Sequence, residues 1–312
     1  MVRVAAIDCG TNSIRLLVAD LTDNKLVDVH REMRIVRLGQ DVDATGRLAS
    51  DAVERTRVAL ADYAAIMRRT DAQRVRMVAT SATRDAANRA DFFRMVRDTL
   101  GADAEVITGD EEARLSFTGA VGDLDPADGP FVVVDVGGGS TEVVLGDWDA
   151  TSADVTAARS VNIGCVRITE RHLRSDPPTP AEISAARQFA AQTLHEAFAD
   201  VPVDKARSWV GVAGTVTTLS AVAQRLPDYD PDCTHLSRLS LDQVRVTAEN
   251  LLASTHQQRA ANPVIHPGRV DVIAGGALIV AVLAEELHAR AGIAELVVSE
   301  HDMLDGIALG LG

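Results

Sequence analysis

The sequence predicts an α/β protein built from two similar domains that arose by duplication. Three observations lead there. An apolar run ends in Asp8, Gly10 and Ser13, and a second ends in Asp135, Gly137 and Ser140, with the same spacing. Met77-Val-Ala-Thr80-Ser and Gly211-Val-Ala-Gly214-Thr form a second match in the same order. Between the halves lies Gly122-Asp-Leu-Asp-Pro-Ala-Asp-Gly-Pro130, a turn-rich stretch that marks the boundary. The expected domains are residues 1–125 and 126–312. Two α/β halves facing each other would enclose an interdomain cleft, a preferred place for a ligand.

Local patterns assign the elements. Residues 2–7 are apolar and β-branched and read as a strand, the turn at 8–13 follows, and 14–19 resume the strand pattern. Residues 25–37 read as further strand carrying Arg31, Arg34 and Arg37. Residues 51–68 are helical, because Ala52, Val53, Val58, Leu60, Ala61, Ala64 and Ile66 recur near helical spacing, with Ser50 as N-cap. A strand at 74–79, a helix at 90–100, a strand at 104–108 and a helix from Asp110 complete the first half. In the second half, 131–134 form a buried strand ending at Asp135. The Pro-rich break at 176–180 precedes a helix of about 20 residues. Residues 209–212 form a strand, and the last third is mostly helical with one strand at 295–299.

Composition bounds the function. The 312 residues are 46% apolar and 24% charged, as in soluble globular proteins, and aromatics at 3% leave an aliphatic core. A net charge of −14 argues against non-specific nucleic-acid binding, although a local Arg cluster can still hold a polyanion. Cys9, Cys165 and Cys233 are far apart and odd in number, which points to a reducing compartment. The N-terminus lacks a signal-peptide pattern, and the longest apolar run, near 277–284, is too short to span a bilayer. A cytoplasmic protein without membrane partners is expected.

The chemistry gathers at the two repeated turns. Glycines expose backbone N–H groups, and Ser or Thr hydroxyls add donors, so Gly10-Thr11-Asn12-Ser13 and Gly137-Gly138-Gly139-Ser140-Thr141 suit phosphate oxygens. Asp8 and Asp135 stand beside those turns and would repel phosphate unless they hold a cation, for which Mg²⁺ is the natural choice. Glu142 follows the second turn and can share the metal and orient a water. Arg15 and Arg84 lie just past the turn motifs and offer phosphate contacts. Asp110-Glu-Glu112 reads either as an acidic first helical turn or as a carboxylate that faces the ligand. The eight histidines show no metal-binding spacing, and His266-Pro-Gly-Arg269 reads as a loop in preference to a lining of the cleft.

Taken together, Asp8–Arg15, Ala79-Thr-Ser-Ala-Thr-Arg84, Thr108-Gly-Asp-Glu-Glu112-Ala-Arg114, Asp135–Glu142, Ala213-Gly214-Thr215 and Arg269–Gly276 resemble the Ppx/GppA phosphatase family, in the family's order and across the whole chain. The resemblance implies the actin and sugar-kinase fold. It implies Glu112 as the base that activates water, and Asp135 and Glu142 as metal- and water-organising carboxylates. It further implies Gly137–Ser140, Asn12–Ser13, Arg84 and Thr215 as phosphate contacts. A homodimer, and a short form lacking the family's C-terminal HD-type domain, are the matching expectations. Many members read Gly-Leu-Arg-Glu-Gly near the C-terminus, whereas this chain reads Asp302-Met-Leu-Asp-Gly306, with no Arg and an added acid. Cys9 and Thr11 are milder departures.

The expected activity is release of terminal orthophosphate from inorganic polyphosphate. Hydrolysis of guanosine pentaphosphate (pppGpp) is the close rival, with guanosine tetraphosphate a related ligand. The scarcity of aromatics for stacking a base leans towards polyphosphate. A non-hydrolysing sensor of polyphosphate or of an alarmone is a rival from another class, disfavoured by the several acids beside a polyanion. The fold also admits ATP-dependent chemistry, which Glu-Glu112-Ala-Arg disfavours.

Overall fold

The first apolar run does pair as a strand, and the turn after it sends the chain back antiparallel. A computed structural model describes all of residues 1–312. The chain divides into two units, one of Met1–Gly119 with Met303–Gly312 and one of Ala120–Asp302.

In the first unit β1 (Val2–Cys9), β2 (Ser13–Thr22) and β3 (Lys25–Ile35) form an antiparallel meander. Helices α1 (Val42–Thr45) and α2 (Ser50–Arg69) lead to β4 (Arg74–Ala79), which lies parallel to β1. Then come α3 (Ser81–Asp85), α4 (Arg89–Leu100), β5 (Ala104–Val106) and α5 (Gly109–Ala120), giving the sheet order β3-β2-β1-β4-β5. Strand alternation divides the two faces. Ala5, Ile7 and Cys9 pack with residues of α2 and α4, such as Leu60, Tyr63, Phe92 and Val96. Val4, Ala6, Leu17 and Ala19 face the other way, with Ile107 and Leu115. The helical spacing over 51–68 is realised in α2, with two differences. Ala49 is the N-cap and Ser50 the first helical residue. Val58 and Ala61, counted in the apolar face, are exposed.

The second unit repeats the pattern. β6 (Phe131–Val136), β7 (Thr141–Trp148) and β8 (Ala153–Val161) form the meander, followed by α6 (Cys165–His172) and α7 (Pro180–Asp200). Thr179 starts α7 with a capping box, its hydroxyl accepting from Glu182 N–H while Glu182 accepts from Thr179 N–H. β9 (Ser208–Val212) lies parallel to β6 and runs into α8 (Ala213–Ala223). The rest is α9 (Pro231–Thr234), β10 (Arg238–Ser240), α10 (Leu241–Ala253), α11 (His256–Ala260), α12 (Ile273–Ala291) and β11 (Glu295–Val298). The sheet order β8-β7-β6-β9-β11-β10 equals that of the first unit with one antiparallel edge strand added. The apolar run at 277–284 is the buried centre of α12, and no helix is long and apolar enough to cross a membrane.

The last helix, α13 (Met303–Leu309), belongs to the first unit, where a single boundary near 125 would have left it in the second. Met303, Leu304, Ile307 and Ala308 cover the Val4–Ala6 face of that sheet. A Cβ on Gly306 would fall 2.1 Å from the carbonyl oxygen of Leu115, so glycine there permits the close approach of α13 to α5. Asp305, 4% exposed, accepts from the Arg31 guanidinium, with Nη2–Oδ1 at 2.5 Å. The added acid of the C-terminal motif is thus neutralised inside the first unit by a strand arginine.

Candidate active site

The two repeated turns are built alike. Gly10 N–H donates to Ser13 carbonyl at 2.9 Å, and Gly137 N–H donates to Ser140 carbonyl at 3.1 Å. In the first turn the carbonyls of Thr11 and Asn12 accept from Gly39 N–H and from Val36 and Arg37 N–H. In the second, the carbonyls of Gly137 and Gly138 accept from Cys165, Val166 and Arg167 N–H at the start of α6. The Gly139 carbonyl accepts from Arg167 Nε at 2.9 Å. Tying the carbonyls back leaves the N–H side of each turn to receive an anion.

The carboxylates beside the turns have opposite cross-strand neighbours. Asp8 on β1 lies opposite Arg15 on β2, whose Nε and Nη2 both donate to Asp8 Oδ2, at 2.9 and 2.6 Å. The expected metal ligand Asp8 and the expected phosphate contact Arg15 are therefore bonded to each other. On β6, Asp135 lies opposite Glu142 on β7, and Glu142 opposite Ser160 on β8. Directly paired residues share a face, here the face away from the Val134, Val136 and Val143 core. Asp135 is 7% exposed and Glu142 fully buried, with Glu142 Oε1 accepting from Ser160 Oγ at 2.7 Å. Like charges directly opposite each other are unfavourable and invite a cation. The all-oxygen donor set suits Mg²⁺, so the residues fit the expected metal, with Asp135 and Glu142 as the pair that would hold it.

Glu112 sits in the first turn of α5, and its two acidic neighbours show why it differs. Asp110 pairs with Arg114 and Glu111 with Arg76, both as surface ion pairs that complete an acidic helix start. Glu112 is 7% exposed and accepts from Arg84 Nη1 at 3.2 Å. The same Nη1 donates to Ile107 carbonyl at 3.0 Å, so both bonds of Arg84 within the protein come from one nitrogen.

The third of the expected phosphate positions is the start of α8. Ala213 has φ 67°, a left-handed conformation that turns the chain sharply from β9 into the helix. Gly214 and Thr215 then occupy the first turn, where N–H groups and the helix dipole favour anions. Arg269 lies over Gly214, donating from Nη1 to Gly214 carbonyl at 2.8 Å and to Thr218 Oγ1 at 3.1 Å. A Cβ on Gly214 would fall 1.9 Å from that guanidinium. The loop reading of Arg269 missed this contact. Gly164 and Arg167 were also missed. The sequence signal for all three is weak, since each lies far from the turn it supports.

Comparison with known proteins identifies the relatives of this chain. A profile of the Ppx/GppA phosphatase family matches residues 17–310. Over 320 aligned positions the chain is 58% identical to Exopolyphosphatase 2 of Mycobacterium tuberculosis, covering 100% of this chain and 99% of that protein. The crystal structure of an exopolyphosphatase-like protein superposes with a TM-score of 0.94 at 44% identity, covering 99% of this chain and 98% of the other. An Aquifex aeolicus member of the Ppx/GppA family superposes with a TM-score of 0.79 at 31% identity, covering 99% and 97%.

Proposed function

Because the chain belongs to the Ppx/GppA phosphatase family, we propose that it is an exopolyphosphatase that releases terminal orthophosphate from inorganic polyphosphate. Roles divide among the residues described. The N–H groups of Gly138, Gly139 and Ser140 and of Gly214–Thr215 hold phosphate oxygens, with the Thr11–Ser13 part of the first turn acting likewise. Asp135 and Glu142 would hold Mg²⁺, which would supply charge neutralisation at the phosphoryl oxygens. Glu112 accepts a proton from the attacking water as its oxygen bonds to the terminal phosphorus. The bond to the bridging oxygen breaks, and the shortened chain leaves as an oxyanion that needs little protonation. Arg84 orients Glu112 and has Nε and Nη2 to offer the migrating phosphoryl group.

The single observation that carries this reading is the isolation of Glu112 from its acidic neighbours. It alone of the three is buried, and it is held by an arginine of the TSATR motif. The identity to an exopolyphosphatase supports polyphosphate over pppGpp as substrate. The test is orthophosphate release from long-chain polyphosphate with Mg²⁺, run beside pppGpp, for the wild type and Glu112→Gln. Loss of about 10³-fold in the variant is expected for a general base. Equal turnover by the variant would reject Glu112 as the base. Release from pppGpp alone would move the substrate to the guanosine phosphate.

A further inference from the structure

Three side chains with no part in that chemistry converge elsewhere in the second unit. Asp123, His235 and His301 bring one carboxylate oxygen and two imidazole nitrogens within 4.8 Å of one another. Asp123 Oδ2 stands 2.7 Å from His301 Nδ1 and 3.4 Å from His235 Nε2. The two rings lie 4.7 Å apart, tilted at 46°. The donors come from three separate segments, namely the turn after α5, the residue that follows α9, and the stretch after β11. None of this spacing is legible as a metal motif along the chain.

We propose that Asp123, His235 and His301 form a binding site for Zn²⁺ or a similar first-row divalent cation, tying these three segments together. Tetrahedral Zn²⁺ with nitrogen and oxygen ligands near 2.0–2.2 Å sets neighbouring donors about 3.3 Å apart. The two Asp123 separations, 2.7 and 3.4 Å, bracket that spacing, and the two imidazole nitrogens lie within 4.8 Å of each other, so side-chain rotations bring the three donors to it. Two imidazoles with one carboxylate select borderline cations, whereas Mg²⁺ prefers an all-oxygen set such as Asp135 with Glu142. All three side chains are partly exposed, at 46%, 23% and 38%, which leaves room for water as a fourth ligand.

The rival is a plain hydrogen-bonded His-Asp-His cluster. It has support, because Glu300 N–H points at His235 Nδ1 at 3.3 Å. That contact places the His235 proton on Nε2, facing Asp123. A cation at Nε2 displaces this proton to Nδ1 and loosens the Glu300 contact, so binding is coupled to a change at the His235 ring.

The test uses tag-free, chelator-treated protein in excess Mg²⁺, titrated with Zn²⁺ in a calorimeter. One equivalent is expected to bind with a Kd of about 1 μM or tighter. The double variant His235→Ala/His301→Ala should bind that equivalent at least tenfold more weakly while keeping its far-UV circular dichroism. A measurement needing no variant is Co²⁺ absorption together with histidine-ring NMR. A tetrahedral ligand-field band, with shifts confined to two of the eight histidines, is the expected result. Absence of Zn²⁺ binding by the wild type, unchanged affinity in the folded double variant, or NMR shifts at other histidines would each overturn the site.

Discussion

Gly164→Ala tests whether the second glycine-rich turn, the proposed phosphate cradle, is held in place by close backbone packing. Gly164 has φ −153°, which any residue adopts, so glycine is required there by space alone. An alanine Cβ would sit 2.4 Å from the carbonyl carbon and oxygen of Gly138 and 2.6 Å from Gly139 nitrogen. Ordinary carbon contacts begin near 3.5 Å, so the turn must retreat by about 1 Å. The bonds from Cys165 and Val166 N–H to Gly137 and Gly138 carbonyl, both 2.9 Å, would then stretch beyond bonding distance. Overpacking costs about 1–3 kcal/mol and each of the two lost bonds about 1, which sums to about 3–5 kcal/mol of stability. A displacement of about 1 Å at a phosphate cradle costs about 10²-fold in kcat/KM, or about 2.7 kcal/mol of barrier. Urea unfolding and orthophosphate release measure the two effects. A variant with wild-type unfolding midpoint and kcat/KM within twofold would show that the turn is not clamped by Gly164.

Three further outcomes follow from the same geometry. Glu142→Gln should remove activity yet unfold no more easily, and about 0.5 kcal/mol less easily, in the absence of Mg²⁺, because it deletes one of two opposed carboxylates; loss of both activity and stability would contradict this. Arg31→Met should cost about 2 kcal/mol in urea unfolding, a value reduced because the Arg31 side chain is 32% exposed, and Asp305→Asn combined with it should recover part of the loss in a double-mutant cycle. Thr179 N–H, then its hydroxyl, hold the Glu182 carboxyl at about 2, below its usual 4.5. A depressed carboxylate stabilises above the unfolded value and loses that effect as pH falls from 4.5 towards 2. The stability difference between wild type and Glu182→Gln should therefore shrink across that window, and a constant difference would show that the cap does not titrate.

Much of the site was legible because its chemistry is local. A strand that ends in Asp-x-Gly with a hydroxyl three residues on must turn tightly, and both copies do so with the same Gly N–H to Ser carbonyl bond. The duplication read from Asp8 and Asp135 reappears as one sheet order in both units. The segments around β8, α6 and β10 were not assigned, since their alternation is weak and their partners are distant in sequence.

The difference between the two copies was less legible. At the level of residue types, Asp8 and Asp135 look alike. Register alone sets Arg15 against one and Glu142 against the other, giving an Asp–Arg ion pair in the first unit and two opposed carboxylates in the second. Residue chemistry alone could not divide the acidic run at 110–112; the family resemblance pointed to Glu112, and burial and the reach of Arg84 set it apart from its neighbours.

By itself the sequence determined the duplication, the turns and the residue types at the site, all of which follow from short-range backbone and side-chain preferences. The return of α13 to the first unit, the Arg31–Asp305 pair, Arg269 over Gly214 and the convergence of Asp123 with two histidines each join residues dozens to hundreds of positions apart. Such pairs form only when burial of apolar faces has set the path of the backbone, and no local pattern along the chain encodes where that path will bring them together.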